Sequence, residues 1–164
     1  MRFDGEQEVG APVAHVWRAL HDSTVLRAVI PGCTEMRPVG AGAFAATLQA
    51  RVGPVADTYR GTFTIDDLHP GTDLHVRVDA RGRCGRLELA LGVALADGSR
   101  PGCSLLRYRA EARVGGLVSR LGTATLSVVG GHFTCGFFHD LDRTVRRGAA
   151  TAPVTPTGPS PQLV

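Results

Sequence analysis

The chain has 164 residues, of which 43% are hydrophobic and 20% are charged, and its formal net charge at pH 7 is +3. These values predict one folded domain with a sizeable core and argue against an intrinsically disordered protein. All 18 basic residues are arginines, which excludes Schiff-base and P-loop lysine chemistry, and they are scattered without aromatic interleaving, which argues against a nucleic-acid surface.

The N-terminal part of the chain predicts one strand followed by two short helices. Alternation of side chains indicates a strand from Arg2 to Val9. A helix from Val13 to Leu20 follows Ala11-Pro12, because proline is favoured where a helix begins. A second helix, from Val25 to Val29, is capped by the Asp22-Ser23-Thr24 segment and ended by Pro31-Gly32.

The middle of the chain alternates apolar and polar residues with period two, which is typical of strands with one buried and one solvated face. Turn residues such as Gly53-Pro54 and Asp97-Gly98 separate the apolar runs. The first predicted strand is weak. The predicted bounds are Glu35–Val39, Ala43–Val52, Asp57–Asp66, Asp73–Arg81, Arg86–Asp97 and Ser104–Val114.

The segment from Leu117 to Arg147 predicts one long helix. Its apolar residues recur at steps of three and four, which places them on one face toward the sheet. These residues are Leu117, Leu121, Ala124, Val128, Gly131 and Cys135.

A second apolar stripe on this helix consists of Leu126, Phe133 and Phe137. On a straight helix the stripe would be exposed and would serve as a surface for a partner, a homodimer or a membrane. A kink at Gly130-Gly131 would instead turn Phe137 and Phe138 inward, and we favour this alternative.

Strands followed by one long helix predict an α+β fold in which a curved antiparallel sheet of six to seven strands wraps around the C-terminal helix. This domain is expected to span residues 1–147. Residues 148–164 are uncharged and rich in proline and threonine, which predicts a disordered tail.

The buried face of the predicted sheet is rich in small residues. They leave either a close approach of the helix or room for a ligand, and the pattern alone does not decide between the two. The small residues are Gly5, Ala46, Ala50, Gly61, Ala80, Ala110 and Ala112.

The four cysteines lie far apart, without a C-x-x-C pair, and the polar N-terminus MRFDGEQE lacks the apolar region of a secretory signal. We therefore expect reduced thiols in a cytoplasmic protein. No run of eighteen apolar residues predicts a membrane span.

A series of short motifs runs through the chain in a fixed order. The motifs are Phe3 with Gly5, Ala11-Pro12, Val16-Trp17, Leu20 with Asp22, Ile30–Cys33, Gly53–Val55, Val114–Gly116 and Leu121-Gly122. The most specific are the I-P-G-C and V-G-P-V motifs at their observed spacing. Together the motifs resemble the CoxG family of carbon monoxide dehydrogenase subunits, within the START-like (SRPBCC) superfamily.

The resemblance implies a helix-grip fold with a cavity for a lipophilic ligand, such as a quinone, beneath the long helix. It further implies a non-catalytic accessory role beside a molybdenum hydroxylase of the CO-dehydrogenase type, in membrane recruitment or electron-carrier delivery. No covalently bound cofactor is implied, and the membrane contact would be peripheral, at the inner face. The longer relatives carry a membrane-seeking C-terminal helix that this tail lacks.

The candidate ligand site combines an entrance and a wall. The entrance is the segment Val29, Ile30, Pro31 and Gly32, which ends the second short helix. The wall residues are apolar side chains of the inner face and the long helix. They are Phe44, Leu48, Phe63, Leu89, Leu91, Tyr108, Leu117, Leu121 and Val128.

Other candidate chemistry is weaker. Cys33 is either a reactive thiol or a small packing residue, and the absence of a neighbouring cation favours packing. A metal site at His132, Cys135 and His139 would need a fourth ligand, so we do not predict one. An enzyme of the polyketide-cyclase type would depend on Tyr59 or Tyr108, and it lacks a charged partner for acid–base catalysis.

Overall fold

A computed structural model describes residues 1–151 of the chain, with the side chains described for residues 1–148. Seven strands, three α-helices and one 3₁₀ helix follow one another in this part of the chain. In order they are β1 (Arg2–Val9), α1 (Val13–Leu20), α2 (Ser23–Val29), β2 (Cys33–Gly40), β3 (Ala43–Val52), β4 (Val55–His69), β5 (Asp73–Arg81), β6 (Gly85–Asp97), β7 (Ser104–Gly116), the 3₁₀ helix (Leu117–Leu121) and α3 (Thr123–Thr151).

The seven strands form one antiparallel sheet in the order β1-β7-β6-β5-β4-β3-β2. The predicted α+β helix-grip architecture is therefore confirmed. Several strands are longer than predicted because their ladders continue to the turns. In the β3–β4 hairpin, for example, Val52 pairs with Val55 across Gly53-Pro54, so β4 begins earlier than the predicted Asp57.

The two short helices are held by local polar contacts. The Asp22 carboxylate accepts hydrogen bonds from the backbone N–H groups of Thr24 and Val25, at 2.8 and 3.4 Å, which confirms the predicted cap of α2. His21, at the end of α1, reaches the Trp17 carbonyl oxygen with Nδ1 and the Asp67 carboxylate of β4 with Nε2, each at 2.7 Å. These contacts attach the α1–α2 pair to the sheet.

The long C-terminal helix begins later than predicted. Leu117–Leu121 is a 3₁₀ helix, and Gly122 then adopts a φ of 84°, in the left-handed region that favours glycine. The α-helix starts at Thr123 and continues without interruption to Thr151, past the predicted end at Arg147. The predicted tail beyond Thr151 lies outside the described residues.

The prediction of which face of the helix is buried is wrong. Leu117 and Val128 are 50% and 60% exposed, so the structure contradicts the placement of these two predicted wall residues on the buried side. The face toward the sheet instead carries Leu141 and Val145, which are 0% and 5% exposed. The side chains on this face are larger than those of the predicted stripe, which includes alanine and glycine, so this face buries more apolar surface.

The second stripe is therefore the inner one. Leu126, Phe137 and Phe138 are half-buried against the sheet side, whereas Phe133 remains 39% exposed. A kink at Gly130-Gly131 is not required, because α3 is one continuous helix through these residues.

Two hydrophobic clusters lie between the sheet and the helices, one at each end of the molecule. The larger one, here called the wedge core, joins α1 and α2 to the sheet and α3, with Val9, Val16, Val29, Leu106 and Leu141 almost fully buried. The smaller one, here called the 3₁₀ core, consists of Val52, Tyr59, Ala80 and Val118. These clusters close the two ends of the sheet–helix layer.

Candidate functional site

A band of half-buried apolar side chains lies between the two cores and is here called the central band. Each of its sheet residues shares the inner face of its strand with a buried neighbour, yet each keeps part of its surface accessible. Val78, for example, contacts both cores. The members are Leu48, Phe63, Val78, Leu89, Leu91 and Tyr108 on the sheet and Phe137 and Phe138 on α3.

The helix covers this band and contacts the sheet on both sides of it. The backbone of α3 contacts β1, at one edge of the sheet, and β3, near the other. At β1 the ring of Phe3 lies against Gly130, where the methyl group of an alanine would stand only 2.7 Å from the ring Cζ. Phe3 and Gly130 thus form a direct contact between the edge of the sheet and α3.

An aromatic group connects the sheet to the helix at the centre of the band. The rings of Tyr108 and Phe138 are 5.3 Å apart and tilted by 37°, and Phe137 meets Phe138 at 5.3 Å in an edge-to-face arrangement. The Tyr108 hydroxyl lies over Gly5 of β1, its partner in the ladder. Burial raises the pKa of Tyr108, so its hydroxyl stays neutral and presents no charge to this region.

The predicted entrance segment packs partly into the core. Val29 is 0% exposed and belongs to the wedge core, so it is a packing residue rather than a surface gate residue. Ile30 and Pro31 are half-buried, and Gly32 is exposed with a φ of 77°. Pro31 lies beside Gly136 of α3, so this loop meets the covering helix next to Phe137.

The structure brings together many of the predicted wall residues. Leu48, Phe63, Leu89, Leu91 and Tyr108 belong to the central band, whereas Phe44 is buried in the wedge core. Leu121 is half-buried against the 3₁₀ core. Leu117 and Val128 lie outside this arrangement because of their exposure.

Three residues of the band were missing from the predicted wall. Val78 shares its strand face with Leu74 and Val76, so the alternation of β5 already indicated it. Phe137 and Phe138 could not be assigned without knowing which face of α3 is buried.

Other candidate groups show little sign of reactivity. Burial raises the pKa of Cys33, and its thiol donates to the Glu35 carbonyl oxygen at 3.3 Å. Burial also raises the pKa of Tyr59, with a smaller contribution from the Asp57 charge. His132, Cys135 and His139, considered above as metal ligands, belong to no such site, since among residues 1–148 no group of three or more His, Cys, Asp or Glu side chains is close enough to hold a metal.

Two solvent-open grooves lie elsewhere. One, of about 730 Å³, is lined by β3, β4 and the turn between β5 and β6. The other, of about 350 Å³, crosses β4 to β7 over polar side chains such as Thr62, Arg77 and Glu111. No residue of α3 lines either groove, so neither is the predicted cavity.

Comparison with known proteins gives a consistent family and fold. The family model of the carbon monoxide dehydrogenase G subunit (CoxG) matches residues 5–145. No curated protein matches the chain significantly in sequence. Within residues 1–151, none of the helices combines the length and the apolar character that a membrane span requires.

Solved structures share the fold at low sequence identity. A conserved protein from Geobacillus kaustophilus is 24% identical with a TM-score of 0.84, and the match covers 90% of this chain and 97% of that one. A START superfamily protein from Mycobacterium smegmatis has 8% identity, a TM-score of 0.70 and coverages of 89% and 97%. The ZhuI aromatase/cyclase from Streptomyces sp. R1128 has 15% identity, a TM-score of 0.67 and coverages of 93% and 97%.

Proposed function

Since the chain belongs to the CoxG family of carbon monoxide dehydrogenase subunits, we propose that it is a non-catalytic carrier that binds a lipophilic ligand between the sheet and α3. The observation that carries this proposal is the central band. Its side chains stay partly exposed although a helix from Thr123 to Thr151 covers the sheet. Packed interiors leave few such accessible apolar surfaces, so this band is the natural place for an apolar guest.

The chemistry of the band favours a neutral ligand. Its members are aliphatic and aromatic side chains, and the Tyr108 hydroxyl is its sole polar side-chain group. Burial of apolar ligand surface would supply the affinity at about 25 cal/mol per Å². A quinone fits these requirements, since its ring can stack on Phe138 and Tyr108 and its isoprenoid chain is apolar.

The family suggests the biological use of such a carrier. We propose that it serves a molybdenum hydroxylase of the CO-dehydrogenase type, by delivering the quinone as electron acceptor or by recruiting the enzyme to the inner face of the membrane. The half-exposed Phe133 is the part of the second stripe still available to such a partner, because Leu126 and Phe137 face the sheet.

A pair of matched substitutions tests ligand binding. Ala46 is half-buried on the inner face of β3 and Ala90 is exposed on the outer face of β6. Ala46→Trp should fill the space and weaken binding of a short-chain quinone by about tenfold or more, whereas Ala90→Trp should leave it unchanged. Titration monitored by calorimetry, together with native mass spectrometry for co-purified lipid, provides the measurement. Equal affinity of the two folded variants would refute the carrier proposal.

The partner needs its own experiment. The hydroxylase should be retained by the immobilised wild-type protein and lost with Phe133→Asp, while Val128→Asp, which places the same charge elsewhere on α3, should retain it. Retention by both variants would place the contact elsewhere, and no retention by the wild-type protein would refute the partnership.

A further inference from the structure

The groove of about 730 Å³ on the far side of the sheet from α3 is lined by three arginines from three different chain segments. Arg51 comes from β3, Arg60 from β4 and Arg83 from the turn between β5 and β6. Gln49 and Thr58 add an amide and a hydroxyl to the same lining. The groove therefore offers several hydrogen-bond donors around a concentration of positive charge.

Some arginines in the described part of the chain form ion pairs with carboxylates. Arg107 pairs with Glu6 at 3.2 Å, and Arg146 pairs with Asp142 at 2.8 Å. Among residues 1–148, no carboxylate lies within 4.0 Å of the guanidinium groups of Arg51, Arg60 or Arg83. Their charge is thus not neutralised by an ion pair within this part of the protein.

Asp57 is the one acidic residue among the described residues of the lining, and its carboxylate is hydrogen-bonded to backbone N–H groups. Its carboxylate accepts hydrogen bonds from the N–H groups of Cys84 and Thr58, at 2.7 and 2.8 Å. These contacts fix the β5–β6 turn beside the hairpin and so hold Arg83 at the groove. The lining therefore carries three positive charges and one negative charge, and the charge of Arg83 acts on the Asp57 carboxylate.

The register adds a second sign of unbalanced charge. Arg60 of β4 stands directly opposite Arg81 of β5, and both are exposed. Like charges at directly opposed positions of a sheet destabilise the pairing. Within residues 1–148, the one ion pair of Arg81 is with Asp79, at 4.0 Å. An anion in the groove would relieve this repulsion.

We propose that this groove is a binding site for a phosphate group, either on a soluble compound or on a lipid headgroup. Arginine presents paired N–H donors that match phosphate oxygens, and three arginines can surround one such group. The site lies on the opposite side of the sheet from the central band, so the proposal does not depend on ligand binding beneath α3.

The test uses pyrophosphate as the soluble probe and vesicles of phosphatidylcholine with or without phosphatidylglycerol as the lipid probe. The groove variant is Arg51→Gln/Arg60→Gln/Arg83→Gln. The control is Arg18→Gln/Arg100→Gln/Arg109→Gln, which removes the same charge outside the groove. Both probes are applied to the full chain at low and at physiological salt, because screening weakens non-specific attraction to exposed charges.

The wild-type protein and the control should bind at least one probe, and the groove variant should bind it about tenfold more weakly or worse. Binding of pyrophosphate would indicate a soluble phosphate compound, and binding of the phosphatidylglycerol vesicles alone would indicate a headgroup. Equal binding by the two triple variants, or no binding of either probe by the wild-type protein, would overturn the proposal.

A stability measurement provides an independent readout. Arg60→Gln should raise Tm in phosphate-free buffer, because it removes the repulsion from Arg81. Pyrophosphate should then raise the Tm of this variant less than that of the wild-type protein. An equal rise in both proteins would contradict a role for Arg60 in the site.

Discussion

Phe3 of β1 and Gly130 of α3 touch where the edge of the sheet meets the covering helix. A methyl group at position 130 would lie 2.7 Å from Cζ and 2.9 Å from Cε1 of the ring. Gly130 therefore sets how near the helix can come to β1. The neighbouring Gly131 faces open space, with no atom within 4 Å of a methyl group at that position.

The two glycines give opposite predictions for the same substitution. Gly131→Ala should raise the free energy of unfolding by about 0.5–1 kcal/mol, because alanine is the better helix former. Gly130→Ala should lower it by about 1–2 kcal/mol, since overlap with Phe3 outweighs that gain. Urea denaturation measures both, and equal stabilisation by the two variants would show that the Phe3 contact imposes no constraint.

The buried face of α3 can be tested by placing aspartate at two nearby positions. Val128→Asp should change the free energy of unfolding by less than about 0.5 kcal/mol, because Val128 is 60% exposed. Leu126→Asp should lower it by about 2 kcal/mol or more, because Leu126 packs against the 3₁₀ core. Thermal unfolding followed by circular dichroism distinguishes the two, and a larger loss for Val128→Asp would support the face predicted from the sequence.

Substitutions of Tyr108 test whether its ring, rather than its hydroxyl, contributes to ligand binding. Tyr108→Phe should leave the affinity for a short-chain quinone within about threefold, since the ring supplies the contact with Phe138. Tyr108→Ala should weaken binding by about tenfold or more, because apolar area is lost. An unchanged affinity of the alanine variant would remove Tyr108 from the site.

Cys33 and Cys135 should differ in reactivity toward iodoacetamide. Burial raises the pKa of the half-buried Cys33, whereas Cys135 is exposed on α3. At about pH 8 we expect Cys135 to be alkylated about tenfold faster or more, because the thiolate is the reactive form and must be accessible. Peptide mass spectrometry over a time course gives both rates, and faster modification of Cys33 would revive its interpretation as a reactive thiol.

Asp57 predicts a loss of stability in acid. The backbone N–H of Cys84 is the largest cause that lowers its pKa, with further contributions from Thr58 and Arg83. A lowered pKa in the folded state stabilises the protein above the unfolded value of about 4, and this stabilisation is lost as the pH falls through the folded pKa.

The Asp57→Asn variant should therefore be less stable than the wild-type protein at neutral pH, and the difference should shrink below about pH 4. Denaturation at a series of pH values provides the measurement. Asp66→Asn, at an exposed position of β4, serves as the control. A constant difference from neutral pH down to about pH 2 would show that the ionised carboxylate does not cause the stabilisation.

The strands and short helices were predictable from the sequence because each depends on local patterns. Period-two alternation predicted the bounds of β1, β3 and β5 as the structure has them. The Asp22-Ser23-Thr24 segment indicated the cap of α2, although the helix begins at Ser23 rather than at the predicted Val25. The inner residues of the central band followed from the same alternation, since neighbouring side chains of a strand point to opposite faces.

Only the tertiary structure decided which side of α3 is buried and where charges from distant segments meet. Both stripes of α3 are apolar, so the sequence does not show which one faces the sheet. The buried side depends on Gly122, whose positive φ separates the 3₁₀ helix from α3, and on the contact of Gly130 with Phe3. Arg51, Arg60 and Arg83 likewise share a groove because of strand register and the Asp57–Cys84 contact. Local periodicity determines each element, but the packing of elements against one another sets which surfaces remain open to a ligand.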